Sequence, residues 1–131
     1  MQSLVLARLP TRLNAKHPRI IEDLLTIAND GHIEALKTII EMLNDFYLHG
    51  KDSRYSQKFT GLPIWELKTT SRGGIKGGAR VYFFFLETNE AVLVNAEVKS
   101  GDSPNVAKIK EVLQIYKAVE AGISVLERSK K

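Results

Sequence analysis

Two runs separated by a short turn, ARVYFFFLE at 79–87 and AVLVNAEVKS at 91–100, constrain this chain more than any other feature. Both are rich in β-branched and aromatic residues, and the first is apolar at nearly every position. A half-exposed strand alternates apolar and polar residues, so a run without that alternation predicts a central strand buried on both faces. The intervening TNE makes a tight connection, and LPIWELKT at 62–69 reads as one more strand upstream. Three consecutive strands with short connections predict an antiparallel meander.

The remaining elements must pack on that sheet. SLVLARLP is aliphatic enough for an N-terminal strand over 2–9, closed by Pro10. Pro18 suits the first turn of a helix, where its missing N–H costs nothing. Ile20, Ile21, Leu24, Leu25 and Ala28 then share one helical face until NDG at 29–31. A second helix carries Ile33, Leu36, Ile39, Ile40, Leu43, Phe46 and Tyr47 in register and stops at Gly50. KDSRYSQKFTG is a polar connection. Ser103 and Pro104 predict an N-cap and first turn. Val106, Ile109, Leu113, Tyr116 and Val119 continue as a C-terminal helix that ends near Gly122, leaving 123–131 as a flexible basic tail. The expectation is an α+β domain: N-terminal strand, helical hairpin, three-stranded antiparallel meander, C-terminal helix. At 131 residues, residues 1–131 make one domain by length.

Several chemistries are excluded. With no cysteine there is no disulfide, thiol nucleophile or cysteine-bound metal. His17, His32 and His49 lack ligand spacing, so neither a metal nor another cofactor is expected. No serine sits in a G-x-S-x-G turn. No apolar run approaches the roughly 18 residues of a membrane span, and the first ten residues lack a signal-peptide core. A cytoplasmic protein with no membrane partner is the expectation.

The net charge of +4 is unevenly spread. Residues 21–50 hold six acids against one lysine, whereas 51–80 hold seven cations against two acids. The densest basic stretch is KTTSRGGIKGGAR at 68–80, with Lys68, Arg72, Lys76 and Arg80 at every fourth place. On a helix they would form a stripe, but four interior glycines would cost roughly 3–4 kcal/mol. The segment therefore reads as a loop between strands. It is not a phosphate-binding P-loop, because Lys76 is followed by Gly77 rather than Ser or Thr. A loop that only aids solubility and a loop that grips a ligand both fit this composition.

Strand alternation sharpens the choice. Lys68 shares a face with Glu66 and Ile64, Arg80 with Tyr82 and Phe84, and Lys99 with Asn95 and Glu97. In a suitable register Lys68, Arg80 and Lys99 meet at one end of the sheet, beside the loop bearing Arg72 and Lys76. Such a constellation suits a polyanion. Glu66 and Glu97 could form a carboxylate pair, although ion pairs with those cations are the simpler reading. Arginine is a natural phosphate clamp, and a lysine whose pKa is depressed by other cations can serve as a base. A cation-only site can therefore cut RNA when a larger partner presents it.

The stretches LPIWELKTTSRGGIKGGARVYFFF and VLVNAEVKSGDSPNVAKIKEVLQIYKA resemble the RelE/HigB-type toxins of bacterial toxin–antitoxin pairs, over about residues 62–120. There a Trp-Glu-Leu-(Lys/Arg) strand, a basic turn, an Arg-x-x-(Tyr/Phe) strand and a strand ending in lysine precede a C-terminal helix. The resemblance implies an mRNA endonuclease, often acting on the ribosome and inhibited by a cognate antitoxin. It implies catalytic roles for Lys68, Arg80 and Lys99; Arg72 and Lys76 fall in the variable basic turn, and they and Tyr82 would contact RNA. Family members commonly carry a further cation after the last lysine, where this chain has Ser100, Gly101 and Asp102. That acid favours the alternative implied by the related ParE-type gyrase inhibitors, a non-catalytic binding protein of the same fold. Trp65 and Tyr116 read as core residues.

Overall fold

In a computed structural model, which describes residues 1–69, 77–99, 101 and 103–128, the two apolar runs lie at the centre of the sheet. The elements in chain order are β1 (Leu4–Ala7), α1 (Arg19–Asn29), α2 (Ile33–His49), β2 (Ser56–Lys58), β3 (Trp65–Lys68), β4 (Ala79–Phe85), β5 (Ala91–Val98), α3 (Val106–Glu120) and β6 (Leu126–Glu127). They make an α+β domain whose six-stranded sheet has the order β2-β3-β4-β5-β1-β6.

The sheet is larger than a three-stranded meander, and it is mixed. β3, β4 and β5 do pair antiparallel in succession, but β1 joins the outer edge of β5 in parallel, with Leu4 opposite Ala91. β3 already occupies the other side of β4, so the edge of β5 is where an aliphatic strand can be covered on both faces. Val5 and Ala7 point to one core, and Leu4 and Leu6 to the other.

Those two cores make three layers. α1 and α2 cover one face, where Ile20, Ile39, Met42 and Phe46 pack on Leu67, Val81, Phe83 and Leu93. α3 covers the other, where Val112, Ile115 and Ala118 meet Val5, Ile64, Tyr82, Phe84 and Val94. β4 is thus buried on both sides, as its composition predicts. A bulge between Tyr82 and Phe83 sets Tyr82 against Asn95 and Phe83 against Leu93. Val94 is the extra residue on β5.

Other boundaries shift for local reasons. Pro18 is the cap residue of α1 rather than part of its first turn, and its carbonyl accepts the first helical bond from Glu22. The α3 cap is Asn105, not Ser103: its side chain accepts from the Ala107 and Lys108 amides. Gly122 ends α3 at φ +76°, with Gly122 N–H bonded to Val119 O and Ile123 N–H to Ala118 O. This is a Schellman closure that glycine adopts without steric cost. Residues 123–128, read from sequence as the start of a flexible tail, are instead folded back. β6 pairs with β1, Val125 is buried, Arg8 pairs with Glu127, and Arg128 holds Glu90 at 2.8 Å. The Arg128 hydrogen bonds lower the Glu90 carboxyl to about 2. Residues 129–131 lie outside the described residues.

β1 reaches only as far as Leu93, so the outer edge of β5 beyond it is covered by α1 instead. There Asp23 is buried, and its Oδ2 accepts the Ala96 amide at 2.9 Å. The same carboxylate pairs with Arg19 at 2.5 Å and with Lys108 of α3 at 2.7 Å, while Arg19 reaches Glu111 of α3 at 3.0 Å. Burial alone would lower the Arg19 pKa, but Asp23 and Glu111 outweigh it and leave the group raised. These pairs clasp the two helical layers around one strand edge. Asp23→Ala leaves the buried Ala96 amide unpaired and takes the carboxylate from the half-buried Lys108 ammonium, while Arg19 keeps Glu111. It is expected to lower stability by about 1–3 kcal/mol in urea unfolding.

Candidate functional site

The site forms where β3, β4 and β5 end beside the glycine segment. The described part of that segment resumes at Gly77, whose φ is +84°. A Cβ there would come within 3.0 Å of both the Glu34 carbonyl and Thr38 Oγ1 on α2. Gly77 therefore lets the chain press its backbone against α2 as it enters β4. Arg72 and Lys76 lie outside the described residues, as does Asp102.

The register answers the question that alternation left open. Lys68 is the cross-strand partner of Arg80, and Arg80 is the partner of Glu97. One level deeper, Glu66 stands opposite Tyr82, and Tyr82 opposite Asn95. Cross-strand partners share a face, so Lys68, Arg80, Glu66, Tyr82 and Glu97 all lie on the α3 side of the sheet. Lys99 follows in the same phase as Glu97, and its Nζ donates to the Thr69 carbonyl at 3.0 Å. The structure thus brings the three expected cations to one face and one end. Trp65 lies on the opposite face, packed edge-on to Phe85 with centroids 5.3 Å apart. Tyr116 meets Phe84 in the α3 core at 5.3 Å.

Exposure separates the cations. Arg80 is only 1% exposed, and its guanidinium donates to Glu66 Oε2 and to the Gly101 carbonyl, both at 3.1 Å. Its Nε has no hydrogen-bond partner among the described residues. Lys99 is 6% exposed. Lys68 keeps 26% of its side chain accessible, with its ammonium 3.6 Å from Glu66 Oε1. Glu66 therefore faces two cations, one at each oxygen. Lys68 is the member of the trio that reaches solvent, and Arg80 and Lys99 are interior groups that position what surrounds them.

Tyr82, expected from sequence to touch RNA, is fully buried. Its hydroxyl donates to Glu97 Oε2 at 2.6 Å and accepts from the Asn105 amide at 3.2 Å. The phenol thus ties β5 to the start of α3 and is not at the surface. Burial, followed by the bond to Glu97, pushes its pKa well above the ordinary phenol value. Sequence reasoning missed Asn105 and the Gly101 carbonyl as partners, and it gave Glu97 a place in a carboxylate pair with Glu66 or in an ion pair, not a bond to Tyr82. The period-two phase that groups Glu97 with Lys99 was the signal available for Glu97.

No group of three or more His, Asp or Glu among the described residues could hold a metal ion, and no described helix is long and apolar enough to cross a membrane. Compared with known proteins, the chain matches no family model and no curated protein.

The hydroxyl–carboxylate bond has a measurable worth. Tyr82→Phe is expected to cost about 1.5–3 kcal/mol at neutral pH in urea unfolding, as for a hydrogen bond to a charged group. Because the folded phenol pKa is raised, this contribution is complete below the unfolded value and fades as pH rises. The gap between wild type and Tyr82→Phe should therefore narrow above about pH 10.

Proposed function

We propose that this chain is a RelE/HigB-type toxin: a metal-independent endoribonuclease of the cytoplasm that cleaves mRNA, on the ribosome, and is held in check by a cognate antitoxin. The observation that carries the reading is the shared face of Lys68, Arg80 and Lys99 at the end of β3–β5. Polyanion recognition needs cations gathered on one surface. The resemblance of residues 62–120 to that family supplies the reaction.

Within this reading the roles differ from an all-cation clamp. Lys68 is the side chain accessible to a phosphate. Arg80 is paired with Glu66 and bonded to Gly101, so it sets the field and the geometry beneath the phosphate. Lys99 anchors the end of β5 to the strand bearing Lys68. Arg72 and Lys76 would supply contacts along the RNA backbone.

A second reading, a RelE/ParE-fold binding protein without catalysis, is favoured by one observation. Glu66 lies against both Arg80 and Lys68, lowering the charge available to a transition state. Its signature is salt-sensitive RNA binding, or binding to gyrase, with every transcript left intact.

Induced expression in a bacterium separates the two. Growth arrest with mapped mRNA cleavage is expected, and Lys68→Ala should abolish both while leaving the unfolding midpoint near wild type. Normal growth with intact transcripts would overturn the nuclease reading. Arg80→Ala is the poorer probe, because it takes from the buried Glu66 carboxylate its closer partner, leaving only Lys68 at 3.6 Å, and so costs about 3–5 kcal/mol of stability on its own account.

A further inference from the structure

Lys68, Arg80 and Glu97 form a row across three adjacent strands, each the direct partner of the next. Neighbouring strands stand about 4.8 Å apart, so the outer two backbones are separated by on the order of 10 Å. The middle member is buried, while both outer members are partly exposed. A cation and a carboxylate thus flank a buried positive charge on one surface.

The two carboxylates of this face are used differently. Glu66 has both oxygens engaged, Oε1 by Lys68 and Oε2 by Arg80. Among the described residues Glu97 is engaged through Oε2, by the Tyr82 hydroxyl at 2.6 Å. That hydroxyl is itself fixed by the Asn105 amide at the start of α3. Among the described residues Glu97 Oε1 has no hydrogen-bond partner. A carboxylate held by one oxygen, with a lone pair open on the other, meets the two requirements of a general base: fixed orientation and an available acceptor.

We propose that Glu97 is the general base of the site, with Tyr82 as the residue that positions it; this rests on the RNA-cleaving reading and adds to it. Glu97 Oε1 removes the proton from a ribose 2′-hydroxyl. The 2′-oxygen attacks the adjacent phosphorus, the bond from phosphorus to the 5′-oxygen breaks, and a 2′,3′-cyclic phosphate forms. The leaving 5′-oxygen takes a proton from the Lys68 ammonium at the other end of the row. Solvent then restores the proton to Lys68 and removes the one on Glu97. Base and acid stand on opposite sides of the phosphate, as an in-line displacement requires, with Arg80 beneath the developing charge. The base is thereby a carboxylate rather than a lysine of depressed pKa.

The test is single-turnover cleavage of an mRNA on programmed ribosomes, paired with binding of the same RNA carrying 2′-O-methyl groups, which cannot be cut. Glu97→Gln keeps the shape and the acceptor for Tyr82. It is expected to slow cleavage by about 10²–10⁴-fold, with affinity for the methylated RNA unchanged or tighter because a negative charge is gone. Glu97→Ala is expected to regain cleavage as formate is added, since a small carboxylate can enter the vacated space. Lys68→Ala should lose both rate and affinity. Wild-type cleavage matched by Glu97→Gln would overturn the proposal while leaving the nuclease reading in place. So would equal losses of rate and affinity in Glu97→Gln together with no formate rescue, the pattern of a structural role. A wild-type protein that leaves RNA intact would sink both readings together.

Discussion

A guanidinium with almost no access to water must have a counter-charge, and the pairing of Arg80 with Glu66 is the constraint around which this end of the molecule is arranged. The pair crosses from β4 to β3, so it selects one register of those strands. A slip by one residue would turn Glu66 and Lys68 to the α1/α2 side and expose Leu67 to the wrong core. The second guanidinium bond, to the Gly101 carbonyl, ties the chain beyond β5 to the same point. Buried ion pairs add little net stability against an apolar replacement, but breaking one by removing a single partner is costly. Their value here is in specifying which residues meet.

That arrangement also sets the electrostatics of the face. Three cations and two carboxylates occupy the ends of three strands, a small positive excess rather than a concentrated clamp. The excess is divided by depth: Arg80 and Lys99 sit inside, and Lys68 and Glu97 sit at the rim. A low-dielectric floor beneath a polar rim strengthens the field felt by anything lying on it. A second cluster, Asp23 with Arg19 and Lys108, holds α1 and α3 across the edge of β5. It fixes the start of α3, and through Asn105 it fixes the Tyr82 hydroxyl.

Much of this was legible wherever a period was strict. The doubly buried β4 and the helical hairpin follow from apolar runs, whereas alternation placed Lys68, Arg80 and Lys99 each only relative to its own strand and left open the register that joins them. β2 was missed because SQK is a polar edge strand, recognisable only by its partner. β6 was missed because two residues are too few to show a pattern, and its hold comes from Val125 and from the ion pairs of Arg8 and Arg128. That α3 lies on the other face from α1 and α2 depends on chain path, which no local period encodes. Burial of Arg80, Lys99 and Tyr82 was likewise hidden. Their types argue for exposure, and it is their partners, Glu66 and the Gly101 carbonyl for Arg80, the Thr69 carbonyl for Lys99 and Glu97 for Tyr82, that make the interior tolerable for them.

The parallel docking of β1 on β5 has one more implication. The bond from Gln2 to the Asn89 carbonyl closes a span of 87 residues, and most of that span is the helical hairpin and the first half of the sheet. The entropic cost of such a long closure grows only logarithmically; doubling it would add about 0.6 kcal/mol. The hairpin can accordingly gain or lose turns over evolutionary time without loosening the strand that seals the sheet. Chain length can therefore vary at the α1–α2 turn, so long as Asp23 keeps its clasp on β5 and α3 and α2 keeps its contact with Gly77.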